Sequence, residues 1–377
     1  MRSMAIDRRT FLGGAAALFA MPATAIGAEG SAPAPLYAAS CKDASGKHQA
    51  VVFSLDRGIL TAVPLPDRGH DFALSPAARE CVVFARRPGN FAAIFDPSGQ
   101  GAAQFITTRA DRHFYGHGAY STDGKLLYAT ENDFDNSRGV IGIRDATDRY
   151  HWIGEFATEG TGPHDLAILS DRRTLVIANG GIDTAPETGR EMLNLADMHP
   201  SLAYIDLRSG ELLEQHDLGA GLAQLSIRHL AVAPDDTVIF GCQFEGPKTG
   251  QPPLVGFHRR GQAPQLAAPP APILRAMRNY VGSVTVDRTG AIAATSAPRG
   301  GIVVYWDVAS RRYLGETRLA DACGVSPTGQ AREFLLTSGA GEMRLGPEGV
   351  TLPDRRIAEM LQAYAWDNHA VLFEFPS

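Results

Sequence analysis

Cysteine is scarce in this chain, with four residues among 377. No two of them form a C-x-x-C pair, which excludes a zinc ribbon and a thioredoxin-type redox site. Excess positive charge is also missing, because 35 Lys and Arg stand against 41 Asp and Glu and give a net charge of −6. Nucleic acids and anionic membrane surfaces bind basic protein faces, so neither is expected to be the main partner.

Apolar runs long enough to span a membrane are missing as well. The N-terminal stretch DRRTFLGGAAALFAMPATAIGAEG joins Arg8 and Arg9 to a short, Gly- and Ala-rich apolar run and then to small residues near Ala25 and Ala28. This pattern predicts a twin-arginine export signal over residues 1–28. We therefore expect a periplasmic protein whose mature part, residues 29–377, has no membrane span and forms one domain.

Helical periodicity is nearly absent outside the signal and the stretch PDRRIAEMLQAY, residues 353–364. What recurs instead is a strand start followed by a polar turn and a second β-branched strand, as in GHDFALSPAARECVVFA and RHFYGHGAYSTDGKLLYATEN. The seven copies begin at His70, His117, His164, His229, Ser283, Cys323 and His369.

The spacing of these copies defines the fold class. The intervals are 47, 47, 65, 54, 40 and 46 residues, and the longest contains an 18-residue polar insertion, residues 183–200. A period of about 40 to 50 residues with several short strands per repeat is typical of a β-propeller. We predict an all-β, seven-bladed, WD40- or YVTN-like propeller whose last blade combines the C-terminal strand with three strands from the mature N-terminus.

Five of the eleven histidines fall at the start of the predicted inner strand of a blade. A single histidine there is ordinarily a capped turn or a buried residue bonded to backbone. Five at one repeat position are harder to explain by packing, since a buried imidazole needs partners for both nitrogens. Imidazole clusters bind transition metals, so His70, His117, His164, His229 and His369 are the candidate metal ligands.

Several further residues are candidates at the same end of the channel. Blades 5 and 6 carry Ser283 and Cys323 in place of histidine, which predicts an arc of histidines that is open on one side. Carboxylates close to the histidines in sequence could orient their ring N–H groups, although alternate residues of a strand face opposite sides; these are Asp71, Asp165 and Asp367. Possible additional site residues are His113, Cys323, Arg68 and Arg228, and the remaining histidines are expected to be solvated.

Long motifs of the chain, among them RHFYGHGAYSTDGKLLYATENDFDNSRGVIGIRD, IANGGIDT, GCQFEGP and WDNH, resemble the bacterial family catalogued as domain of unknown function 1513. The resemblance runs from the signal to His369. It implies an exported seven-bladed propeller associated with iron-uptake loci, with an imelysin-like protein and a di-haem oxidoreductase as possible partners. Fold and genomic association do not by themselves establish function.

The leading hypothesis is a periplasmic metal-binding propeller, expected to be a monomer, that serves iron acquisition, with copper as the second candidate metal. One alternative is a metal-dependent enzyme, redox or hydrolytic, that uses the same site. The other is a metal-free scaffold for protein interactions. No nucleophile motif accompanies the histidines, so the sequence leaves catalysis open.

Overall fold

The computed structural model describes residues 34–77, 79–189 and 191–373. The predicted export signal, residues 1–28, lies outside the described residues. Within them the chain forms seven four-stranded antiparallel sheets. The first strands of successive sheets contact one another in a closed circle, so the sheets are the blades of a seven-bladed β-propeller around a central channel. The predicted fold class is confirmed.

Blades 1 to 6 each take four consecutive strands, and the innermost strand comes first in sequence. Blade 1 contains β4 (Gly69–Leu74), β5 (Cys81–Ala85), β6 (Phe91–Phe95) and β7 (Gln104–Thr107). Blade 2 contains β8 (Arg112–Tyr120), β9 (Leu126–Asp133), β10 (Arg138–Asp145) and β11 (His151–Ala157). Blade 3 contains β12 (Pro163–Ile168), β13 (Thr174–Asn179), β14 (Ser201–Asp206) and β15 (Leu212–Asp217). Blade 4 contains β16 (Leu225–Val232), β17 (Val238–Phe244), β18 (Val255–His258) and β19 (Gln265–Ala267). Blade 5 contains β20 (Ser283–Val286), β21 (Ile292–Ala297), β22 (Ile302–Asp307) and β23 (Tyr313–Arg318). Blade 6 contains β24 (Ala322–Pro327), β25 (Phe334–Ser338), β26 (Met343–Gly346) and β27 (Val350–Thr351).

Blade 7 is built from both ends of the described chain, as the sequence predicts. Its innermost strand is β28 (Ala365–Phe373), which pairs with β1 (Leu36–Lys42), followed by β2 (His48–Ser54) and β3 (Gly58–Pro64). The pairing of β28 with β1 is antiparallel, with Ala370 opposite Ala39. This pairing joins the two ends of the described chain in one sheet and so fastens the circle of blades.

The middle strands of the blades are the most apolar, because each is covered on both faces by neighbouring blades. In blade 1, all five residues of β5, CVVFA, and all five of β6, FAAIF, are buried. The outer strands are polar and alternate; β15, for example, reads LLEQHD with only Glu214 and His216 partly covered. The core is therefore a set of apolar layers between blades rather than one central cluster.

The inner strands are irregular where they pass the channel. In six of the seven blades the pairing between the inner strand and its neighbour shifts register, with one or two extra residues on the inner strand. Only the inner strand of blade 5, β20, pairs without a shift in the described residues. A bulge re-aims side chains and breaks the strict alternation of faces.

Two helices and one insertion complete the described chain. The helix α2 (Arg355–Leu361) lies in the predicted helical stretch, whereas the short α1 (Ala271–Ala276) was not expected from the sequence. The insertion, residues 183–200, contains two 3-10 turns, Pro186–Thr188 and Leu195–Asp197. All four cysteines are buried and unpaired. Among the described residues no helix has the length and apolarity to cross a membrane.

Candidate metal centre

The five candidate histidines lie on the inner strands of five adjacent blades, 7, 1, 2, 3 and 4, at or next to the bulges. Every one of them is at least 93% buried, with exposed fractions between 1% and 7%. We call the set of five, His70, His117, His164, His229 and His369, the histidine ring.

The imidazoles of the histidine ring meet around the channel axis. Going round the ring from His70, the centroid distances between neighbouring imidazoles are 4.9, 5.0, 4.6, 4.9 and 4.6 Å. The fourth value joins His229 to His369 across blades 5 and 6, so the expectation of an open arc was wrong. Ser283 of blade 5 lies beside this pair, with its Oγ 3.5 Å from His369 Nδ1.

Most ring nitrogens of this cluster have no hydrogen-bond partner among the described residues. Seven buried nitrogen atoms are in this position: both of His70, both of His229, Nε2 of His117 and His369, and Nδ1 of His164. A buried polar atom without a partner loses about 1–3 kcal/mol of solvation, and native proteins contain few of them. Two subsets of three histidines each bring one ring nitrogen per residue within 4.8 Å of the other two. The first subset is His70, His117 and His164, and the second is His117, His229 and His369.

Four of the five imidazoles are held in the neutral form that binds metals. Burial, together with neighbouring imidazoles and arginines, lowers the pKa of His70, His164 and His229 well below the ordinary value. Burial likewise lowers the pKa of His369 to about 4. A ring of this kind presents nitrogen lone pairs rather than positive charge to the channel axis.

His117 differs from the other four because two carboxylates flank it. Burial lowers the pKa of His117, but the carboxylates of Asp165 and Asp71 outweigh that effect and raise the pKa to about 10. Its Nδ1 lies 2.9 Å from Asp71 Oδ2 and 3.1 Å from Asp165 Oδ1. Nδ1–H is therefore the donor to the carboxylates. At a pKa of about 10 the ring also carries a proton on Nε2, and a metal ion bound at Nε2 would replace that proton. This is the carboxylate–histidine arrangement that orients metal-bound imidazoles.

The carboxylates act across blades. Asp71 of blade 1 and Asp165 of blade 3 both reach His117 of blade 2, rather than the histidine that precedes each of them in sequence. Asp165 Oδ2 also accepts a hydrogen bond of 2.9 Å from Leu230 N of blade 4. The third predicted carboxylate, Asp367, lies 3.8 Å from His70 Nδ1, which is too long for a hydrogen bond.

The additional candidates fall outside the ring. His113 is buried, and its nitrogens are taken by the Phe114 carbonyl, at 3.0 Å, and the Asn132 amide, at 3.2 Å. Cys323 Sγ lies 3.6 Å from Asp321 Oδ1 and belongs to neither histidine subset. Both residues are near the channel, but neither directs a donor atom to the ring nitrogens.

The two candidate arginines lie next to ring residues and are paired with acids. The guanidinium of Arg68 donates a hydrogen bond to Asp367. Arg228 precedes His229 on β16, is 2% exposed and has its Nη2 3.4 Å from Glu245 Oε1. Their positive charges contribute to the low pKa values of His70 and His229, respectively.

A second group of potential ligands was missed by the sequence analysis, which expected His216 and His258 to be solvated. His258 is 2% exposed, and its ring lies 4.6 Å from that of His216. Glu214 Oε1 is 2.6 Å from His216 Nε2. His258 is already satisfied by Tyr204 Oη and the Gln262 carbonyl, at 2.5 and 2.8 Å, so these contacts explain its burial without a metal. No repeat pattern marks this group, since it joins outer strands of blades 3 and 4.

Solved structures of low sequence identity share the fold. The chain is similar to Kuenenia stuttgartiensis hydrazine synthase, with a TM-score of 0.60 and 13% identity over 81% of this chain and 93% of that one. It is also similar to the Cps50 (Swd1) β-propeller domain of Myceliophteria thermophila, with a TM-score of 0.56 and 11% identity over 80% and 93%. At these identities the likeness concerns the fold alone.

Sequence comparison identifies the family. No curated protein matches the chain. A family model, described as Protein of unknown function (DUF1513), matches residues 63–373, which is 311 of the 377 residues and includes the whole histidine ring. The chain therefore belongs to the DUF1513 family.

Proposed function

We propose that this protein binds a transition metal ion through the histidine ring at the centre of the propeller channel. The observation that carries the proposal is the convergence of seven buried imidazole nitrogens that lack hydrogen-bond partners in the described chain. A purely structural role would require partners for these atoms. A metal ion satisfies several of them at once, and imidazole is a good ligand for iron, copper, zinc and nickel.

His117 is the central ligand of this proposal. It belongs to both histidine subsets whose nitrogens lie within 4.8 Å of one another. Its Nδ1–H is held by two carboxylates, which orients the ring and makes Nε2 a stronger metal ligand once the metal replaces the proton on that nitrogen. Three or four imidazoles around one ion give the coordination number that first-row metals favour in proteins.

The wider role is part of the same proposal. The family resemblance and the N-terminal motif of the sequence support a periplasmic protein that handles iron, with copper as the second candidate metal. An imelysin-like protein and a di-haem oxidoreductase are the partners that the family association suggests. A ring in which four of the five imidazoles are neutral fits a carrier or accessory role, because it can take up a cation without any further reacting group.

The proposal is tested by elemental analysis of the protein purified without chelators or a histidine tag. We expect about one transition metal ion per chain in the unaltered protein and a loss of most of it in His117→Ala. The matched control is His151→Ala, which removes an imidazole whose side chain is 53% exposed and lies on the outer strand of blade 2. The control should retain the metal.

Two outcomes would contradict the proposal. One is a protein that holds no metal as purified and takes up none from added iron, copper or zinc salts. The other is equal metal content in His117→Ala and the unaltered chain. In either case a metal-free interaction scaffold becomes the better account, and partner binding should then survive replacement of three ring histidines together.

A further inference from the structure

A cavity opens near the histidine ring and is not needed for the metal proposal. It has a volume of about 480 Å³ and lies where the ends of the inner hairpins of blades 1, 4, 5 and 6 converge. We call it the arginine cavity, and its principal lining residues are Arg86, Arg87, Met192, Glu245, Tyr280 and Arg299. Pockets of 300–1,000 Å³ are the usual size for small-molecule ligands.

Arg87 is the unusual member of this lining. Its side chain is only 7% exposed, and Nη1 is buried without a hydrogen-bond partner among the described residues. Its guanidinium lies 5.6 Å from the centre of the Tyr115 ring, which is a weak cation–π contact. Burial lowers the pKa of Arg87 to about 10, and the nearby charges of Arg228 and Arg86 add to the effect. No acid of the described chain forms an ion pair with Arg87, and Glu245 in the same lining offsets the charge of Arg87 only at longer range.

The other charges of the cavity do not compensate for Arg87. Three arginines and two acids, Glu245 and Asp321, are among the lining residues, which leaves a formal charge of 3 − 2 = +1. Glu245 is engaged by Arg228, at 3.4 Å. Arg299, on the exposed rim, stacks on Tyr280 with 4.2 Å between the guanidinium carbon and the ring centre.

The carboxylate of Asp367 lies between the arginine cavity and the histidine ring. Arg86 Nη1 lies 3.5 Å from Asp367 Oδ1, and the same oxygen lies 3.8 Å from His70 Nδ1. Arg228, the partner of Glu245, directly precedes His229 on β16. A ligand in the arginine cavity would therefore lie at the mouth of the channel that the ring closes.

A buried cation without an anionic partner is costly, and leaving it unpaired usually costs several kcal/mol. The guanidinium fork matches the two oxygens of a carboxylate or the oxygens of a phosphate. We propose that the arginine cavity binds a small organic or inorganic anion that carries at least two carboxylates or a phosphate group, with Arg87 as the principal contact and Arg86 and Arg299 as further contacts. This proposal does not depend on a metal in the ring.

Isothermal titration of the purified protein tests the proposal with two probes, tricarballylate for polycarboxylates and inorganic phosphate for phosphate groups. Tricarballylate lacks the hydroxyl group of stronger chelators, so removal of metal contributes little heat. We expect one of the two anions to bind with a Kd below about 1 mM, since two or more charge-assisted contacts are available. The stronger probe identifies the chemical class of the ligand.

Substitutions locate the binding. Arg87→Met should weaken binding by about 10- to 100-fold, and Arg87→Lys should restore part of it because the charge remains while the fork is lost. Arg299→Met, on the exposed rim, should cause a smaller loss and carries little risk to folding. The matched control is Arg355→Met, which removes a guanidinium that is 90% exposed on α2 and should leave binding unchanged.

The outcomes separate this proposal from the metal proposal. His117→Ala should lose metal and still bind the anion, whereas Arg87→Met should lose the anion and keep the metal. A probe concentration of about 10 mM is about ten times the highest expected Kd. If neither probe binds at that concentration, the proposal is overturned. Equal affinity in the unaltered protein, Arg87→Met and Arg299→Met would also overturn it, since Arg87 would then serve only to pack against Tyr115.

Discussion

Asp165 offers the sharpest test of how the centre of the propeller is held together. Its carboxylate accepts hydrogen bonds from three elements: Oδ1 from Leu166 N, at 2.7 Å, and from His117 Nδ1, at 3.1 Å, and Oδ2 from Leu230 N, at 2.9 Å. Asp165 and Leu230 are both buried. The side chain thus joins the inner strands of blades 2, 3 and 4 at the level of the histidine ring, and Asp165→Asn should break the link to Leu230 N of blade 4.

The expected loss follows from the geometry. The amide oxygen of Asn can replace Oδ1 and accept the hydrogen bonds from Leu166 N and His117 Nδ1. The NH2 group of Asn then replaces Oδ2 and faces the Leu230 N–H. One hydrogen bond to a charged acceptor is lost, which is worth about 1.5–3 kcal/mol, and two buried donors oppose each other at about 1–3 kcal/mol. We expect the free energy of unfolding to fall by about 3 kcal/mol. For a chain of this size that corresponds to about 4 °C in Tm.

Urea denaturation of the unaltered protein and three variants measures this effect. Asp71→Asn removes a carboxylate that also contacts His117 but is 17% exposed at its side chain, so we expect about 1 kcal/mol. Asp56→Asn, with a side chain 55% exposed, is the surface control and should change stability by less than about 0.5 kcal/mol. Metal affinity, measured in parallel, should fall by about 10- to 100-fold in Asp165→Asn. An unfolding midpoint equal to that of the unaltered protein would refute the reasoning.

Two further predictions concern buried groups away from the ring. Arg144 Nη2 lies 3.0 Å from Glu131 Oε1, and both residues are buried. Arg144→Met should therefore lower the free energy of unfolding by about 3–5 kcal/mol, because it leaves the buried carboxyl unpaired. Adding Glu131→Leu to Arg144→Met should recover most of that loss, as measured by urea denaturation. A double variant no more stable than Arg144→Met alone would contradict this account. All four cysteine thiols are buried, and burial raises the pKa of each. Ellman's reagent should therefore label no thiol in the native protein and four thiols in denaturant. Fast labelling of the native protein would contradict this, because it would show that a thiol is accessible.

The architecture could be predicted because a propeller repeats one local pattern seven times. Each copy carries its own turn and its own pair of β-branched strands, and these short-range signals do not depend on the rest of the fold. The incomplete last copy indicated closure by the N-terminal strands, and the pairing of Ala370 with Ala39 bears this out. The five histidines were found in the same way, since equal repeat positions lie at equal height around the channel.

The details of the site could not be predicted, because they depend on bulges and on contacts between blades. Regular strand geometry turns Asp71 and Asp165 away from the histidines that precede them, and nothing in the local pattern points to His117 of the blade between them. The contact of His229 with His369 spans two blades that lack histidine. Glu214, His216 and His258 meet between outer strands that no repeat relates.

The sequence by itself determined the number of blades, the way the circle closes and the presence of five histidines at one level, because each of these follows from a repeated local pattern. Only the tertiary structure decided that the five imidazoles form a closed ring, that His117 is the one held by carboxylates, and that Nη1 of Arg87 is buried without a hydrogen-bond partner among the described residues. The ring contacts and the carboxylate contacts of His117 join residues 46 or more positions apart in the sequence, as Asp71 and His117 are. Long-range distances of this kind are set by packing and bulges, which leave no periodic trace in the chain.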